Sequence, residues 1–196
     1  MIRRIDRIAI GKEAERVLIS ATSTHCVPSS LKQEWIRVAS GDKNPYLEQA
    51  LTAICKWRKA LVFVNTPECA QAVEHFLSER GYLVKSFHRD VPSRQREENL
   101  KSFREAEQGA ILVCTDAASR GLDVKALDLV VNYDFPVSVT DYLHRVGRTA
   151  RMGRPGHTVS LVQTKQDRAI ALGIQEREGG DLTESINESK IIENKH

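Results

Sequence analysis

Short apolar runs alternate along this chain with stretches in which apolar residues recur at helical intervals. Residues 17–19, 60–65, 82–87, 111–114, 127–133 and 157–162 read as strands, the last because Thr158 and Ser160 alternate with Val159 and Leu161. Residues 33–39 alternate only imperfectly and read as an edge strand. Between the runs, Leu47, Ala50, Leu51 and Ile54 fall at helical spacing behind Pro45, and Ala70, Val73, Phe76 and Leu77 do so ahead of a terminating Gly81. Further helices are predicted over 92–105, with Leu100 and Phe103 inward, over 139–146, and over about 166–176. Strand and helix in turn predict an α/β fold with a mostly parallel sheet and helices on both faces.

Size narrows this to one domain. A chain of 196 residues buries one good core with short extensions, but not two α/β domains of ordinary size. Its 41% hydrophobic and 28% charged residues suit a globular protein, and no segment approaches the roughly 20 apolar residues that span a bilayer, so no membrane partner is expected. The basic start is broken by Asp6, Glu13 and Glu15 and has no apolar signal core. Cys26, Cys55, Cys69 and Cys114 form no CxxC pair, which predicts no metal site and a reducing, intracellular setting. Beyond Gly179-Gly180 the polar tail, 179–196, is expected to be disordered.

Charge matters locally rather than in total, since the net +3 is mild. Both central strands, 111–114 and 127–133, stop at polar clusters. Thr115, Asp116, Arg120, Gly121 and Asp123 follow the first; His144, Arg145, Gly147, Arg148 and Arg151 follow the second. Loops after the carboxyl ends of parallel strands line the ligand crevice, so the two clusters are expected to meet there. Arg145, Arg148, Arg151 and Arg154 recur every three residues. They could form a solvated helical face, but Gly147 and Gly153 weaken a helix, and planar guanidinium groups bind phosphate bidentately; a phosphate-binding role is the stronger reading. Asp116, Arg120 and Asp123 alone could be a surface ion-pair set. With Thr115 and Gly121 they form T-D-x-x-x-R-G-x-D, where glycine permits close backbone approach and a carboxylate can accept from a sugar hydroxyl.

TDAASRGLD at 115–123 and HRVGRTAR at 144–151 resemble motifs V and VI of the DEAD-box ATP-dependent RNA helicases of superfamily 2. LVFVNT at 61–66 resembles motif IV, HRD at 88–90 with Arg96 the region after it, and VVNYDFP at 130–136 the segment between V and VI. The similarity covers about 31–163, the second RecA-like domain. The resemblance implies that Arg148 and Arg151 are arginine fingers reaching the ATP γ-phosphate across a domain interface. Asp123 would bind the ribose, with Gly121 in the same loop. Thr66, Arg96 and Thr115 match positions that contact RNA phosphates. Arg120, His144 and Arg145 would couple the two sites, together with Ser20 and Thr22 of a motif III-like Ser20-Ala21-Thr22. The organisation implied is a remnant of a first helicase domain and connector over 1–30, a C-terminal RecA-like domain over 31–178, and the tail.

Three positions depart from the family pattern: Arg89 and Ala150 stand where glycine is usual, and Ser93 where glutamine is. Ala150 is expected to be tolerated, and Arg89 either adds a phosphate contact or disturbs a tight turn. The sequence has no GxxxxGK[ST] loop and no DEAD motif. The chain is therefore expected to be a fragment or spliced product that cannot hydrolyse ATP alone, acting as a monomer beside a first RecA-like domain that would hold Mg²⁺ with the nucleotide. The alternative is a noncatalytic RNA-binding or partner-binding module.

Overall fold

A computed structural model describes residues 16–19, 30–39, 41–53, 57–119, 124, 127–150 and 154–177, with backbone alone at 16–19, 53, 176 and 177. In chain order the elements are β1 (Arg16–Ile19), β2 (Leu31–Arg37), α1 (Asn44–Ala53), β3 (Lys59–Val64), α2 (Pro67–Glu79), β4 (Leu83–Phe87), α3 (Ser93–Glu105), β5 (Ala110–Thr115), α4 (Asp116–Ser119), β6 (Leu129–Asn132), α5 (Val139–Val146), β7 (Gly156–Val162) and α6 (Lys165–Arg177).

The strands form one sheet in the order β1-β2-β7-β6-β3-β5-β4. Six are mutually parallel, and β1 joins β2 antiparallel with Arg16 opposite Ile36 and Ile19 opposite Gln33. One expectation needs correcting. The stretch predicted as an edge strand is β2, which is paired on both sides; its alternation is blurred because Gln33, Glu34, Trp35 and Ile36 are all buried. Between β5 and β6, the two strands that end at the polar clusters, lies β3. The tail and the Ser20-Ala21-Thr22 turn lie outside the described residues.

Helices cover both faces, as the alternation of strand and helix predicts. On one face α1 and α2 bury Leu47, Leu51, Ala70, Val73 and Leu77 against Val62, Val64, Ile111, Val131 and Leu161. On the other, Phe103 of α3 packs on Leu61, Phe63 and Leu112, while Tyr142 and Val146 of α5 and Ile174 of α6 pack around Trp35. The strand residues facing each way alternate, so β3 sends Ala60, Val62 and Val64 to one layer and Leu61 and Phe63 to the other. Helix ends carry the expected punctuation. Thr66 caps α2 by accepting from Cys69 N at 3.2 Å, and Gly81, at φ 79°, closes it with Tyr82 N donating to Leu77 O at 3.1 Å.

Candidate functional site

The carboxyl ends of β3, β5 and β6 are drawn together by one side chain. Arg145, in the last turn of α5, is 1% exposed and spends all five N–H donors on protein. Its Nε and Nη2 grip Asp116 Oδ1 and Oδ2 at 2.7 and 2.6 Å, just past β5. Nη2 also donates to Asn65 Oδ1 at 2.8 Å, just past β3. Nη1 donates to the Asp134 carbonyl at 2.6 Å and, more weakly, to Asn132 Oδ1 at 3.4 Å, at the end of β6. Below it the guanidinium lies 5.0 Å from the centre of the Phe63 ring. A planar fork is suited to this task, since it satisfies several acceptors in fixed directions at once.

The acceptors are themselves held. Asn65 donates its side-chain amide to the Phe135 carbonyl at 3.1 Å, and its backbone N–H to Asp134 Oδ2 at 2.9 Å. Lys43 Nζ completes that carboxylate at 2.8 Å. Burial works against the Asp134 charge, yet the hydrogen bonds from Lys43 and from the Asn65 N–H outweigh it and hold the pKa below the usual carboxylate value. Asn132 donates to Ser160 Oγ at 2.9 Å, which ties β6 to β7. Burial pushes the Cys114 thiol up to about 12 and the Cys69 thiol up to about 12, so both are protonated and inert at neutral pH.

The two polar clusters thus do meet, through Asp116 and Arg145. The expected phosphate-binding role is, however, corrected for Arg145, whose donors are consumed inside the protein. Arg145 and Arg148 do not share a helical face either. The helix ends at Val146, and Arg148 belongs to a turn closed by Arg148 N donating to Arg145 O at 3.1 Å. Thr149 then bridges to Leu127 ahead of β6, its hydroxyl donating to the Leu127 carbonyl at 2.7 Å. The backbone of this turn therefore lies beside the amino end of β6, while the half-buried Arg148 acts electrostatically on Cys114, near the carboxyl end of β5. His144, one residue before Arg145 on α5, is exposed, and Arg154 is exposed beyond the turn. Ala150, expected to pass as a small change, has φ 53°, the left-handed region that glycine favours.

Among the remaining predicted positions, Thr66 is exposed, Arg96 is half-buried in α3 and Thr115 is buried at the end of β5. Thr66 also hydrogen-bonds Glu68, whose carboxyl is held low by its own backbone N–H, then Thr66, and then the charges of Arg89 and His88. Ser20, Thr22, Arg120, Gly121, Asp123 and Arg151 lie outside the described residues. Sequence reasoning passed over Asn65, Asn132, Asp134 and Lys43. Asn132 had a signal: an amide within an apolar run has to find partners if it is buried.

Residues 42–153 match the family model described as the helicase conserved C-terminal domain. An ATP-dependent RNA helicase DBP8 of Gibberella zeae is 40% identical over 188 residues, which cover 93% of this chain and 34% of that protein. A DEAD-box ATP-dependent RNA helicase 39 of Arabidopsis thaliana is 45% identical over 171 residues, covering 85% and 27%. The chain thus spans about a third or less of the length of these relatives. Among solved structures, S. cerevisiae Dbp5 bound to RNA and ADP BeF3 superposes with a TM-score of 0.65 at 28% identity, covering 77% of this chain and 39% of that one. With the RecA-like sheet and the TDAASRGLD and HRVGRTAR segments in place, the chain belongs to the helicase conserved C-terminal domain family, as a domain of the DEAD-box type.

Proposed function

We propose that this chain is the C-terminal domain of an ATP-dependent RNA helicase, in which it supplies arginine fingers to ATP and phosphate contacts to RNA and so couples hydrolysis to the remodelling of RNA duplexes or ribonucleoproteins. The observation that carries the reading is the Arg145 junction. It binds one short helix to the strand ends that bear Thr66 and Thr115, and the next turn of the same backbone bears Arg148. A displacement of Arg148 is therefore passed to the Thr66 edge through hydrogen bonds of 2.6 to 2.8 Å rather than through soft packing.

Arg148 and Arg151 would stabilise charge on the γ-phosphate held by a first RecA-like domain, with Mg²⁺ bound there as well. Asp123 would accept from the ribose, and Gly121 would let the backbone approach it. Thr66, Arg96 and Thr115 would meet RNA phosphates, a sequence-independent mode of binding. Ser20, Thr22, Arg120 and His144 would join Arg145 in relaying closure. The Dbp5 neighbour solved with RNA and ADP BeF3 supports the same two ligand classes here. By itself the chain is expected to turn over no ATP.

Arg148→Ala, in the chain joined to a first RecA-like domain, is expected to lower RNA-stimulated ATPase by about a thousandfold while RNA affinity stays within about twofold. Unchanged turnover would remove the finger role.

A further inference from the structure

We propose that Arg89 is an additional RNA-phosphate contact that carries the binding edge from β3 and β5 on to β4. The inference rests on the RNA-binding reading above.

The sheet places Arg89 in line with the other contacts. Cys114 of β5 is in register with Phe63 of β3 on one side and Phe87 of β4 on the other. Thr66, Thr115 and Arg89 follow these three residues within one to three positions, so they stand along one sheet edge on neighbouring strands. Strands lie about 4.8 Å apart, which puts Arg89 roughly 10 Å along that edge from the β3 end.

The turn holds it there. Val91 N donates to His88 O at 3.2 Å, and the His88 side chain is 1% exposed, which anchors the turn from beneath. The Arg89 side chain is 77% exposed. Its ion pair is with the adjacent Asp90, Nε to Oδ1 at 3.4 Å, and both groups face water. Exposed pairs of this kind contribute about 0–1 kcal/mol, so a phosphate can replace Asp90 at little cost.

The test is a titration of the full chain with fluorescein-labelled single-stranded oligo(U) at a series of KCl concentrations. Arg89→Gly is expected to weaken binding at least about threefold and to make the slope of log K against log[salt] shallower by about 0.7, the share of one phosphate contact on a single strand. Arg89→Lys should keep the slope. An Arg89→Gly slope equal to wild type, with Arg96→Ala made shallower, overturns this inference alone. A wild-type chain with no salt-dependent binding overturns it together with the RNA-binding reading.

Discussion

Four arginines three residues apart look alike in the sequence, yet Arg145 and Arg148 have different surroundings. Arg145 faces the sheet because its position on α5 puts it on the same side as the buried Tyr142 and Val146, while His144, one residue earlier, points to water. Its partners come from 29 and 80 residues away, a distance no local pattern reveals. Breaking a buried pair by removing one member leaves the other charge uncompensated, a large effect even where the pair itself contributes modestly. Arg145→Lys keeps the charge but loses the fork. It is expected to destabilise the domain by about 3 kcal/mol, read as a lower midpoint in urea with an unchanged slope. An unaltered midpoint would mean that the junction holds nothing together.

At the scale of elements, the turn after α5 shows how two elements set each other's backbone. The first residue of β7, Gly156, approaches so closely that a Cβ there would lie 2.5 Å from Ala150 N. Ala150 meets this neighbour in the left-handed region, at φ 53°, with its side chain buried beside Val146. The left-handed region costs an L-residue roughly 1–2 kcal/mol, and glycine avoids most of that at the expense of a looser unfolded chain. Ala150→Gly is therefore expected to stabilise the domain by about 0.5–1 kcal/mol, a rise of roughly 2–4 °C in Tm by differential scanning calorimetry. A lower Tm would show that the buried methyl group outweighs the backbone strain. The residue types could not disclose this conformation, because the neighbour that imposes it belongs to another strand. The same limit hid the double pairing of β2 and the short α4, whose Asp116 reads in sequence only as part of a loop motif.

For the molecule as a whole, stability has a lower pH bound set by groups trapped inside the sheet's margins. His157, opposite Lys32 of β2 and Leu129 of β6, has its pKa lowered by burial and then by the Lys32 charge, against the opposing pull of Glu34 and Asp128. The unfolded chain takes up that proton near pH about 6.5, before the folded chain does. Stability is thus fully present above that value and declines as pH falls below it. Asp134, with a depressed pKa, adds a loss at more acid pH, as protons reach the carboxylate that Lys43 and Asn65 hold ionised. His157→Gln should flatten the pH dependence of unfolding free energy between about pH 7 and 5, measured by urea titration. An identical slope in the variant would place the acid sensitivity elsewhere.

Residue order alone determined the alternation of strands and helices, the parallel sheet covered on both faces and, through TDAASRGLD and HRVGRTAR, the family. These follow from periodicity and short motifs, which are local properties of a chain. Tertiary structure decided that β3 separates β5 from β6, that Arg145 turns inward to Asp116 and Asn65, and that Ala150 is held at positive φ. Each of those depends on which distant segment comes to lie alongside, and a guanidinium or a backbone angle settles only once that neighbour supplies its acceptors or its steric wall.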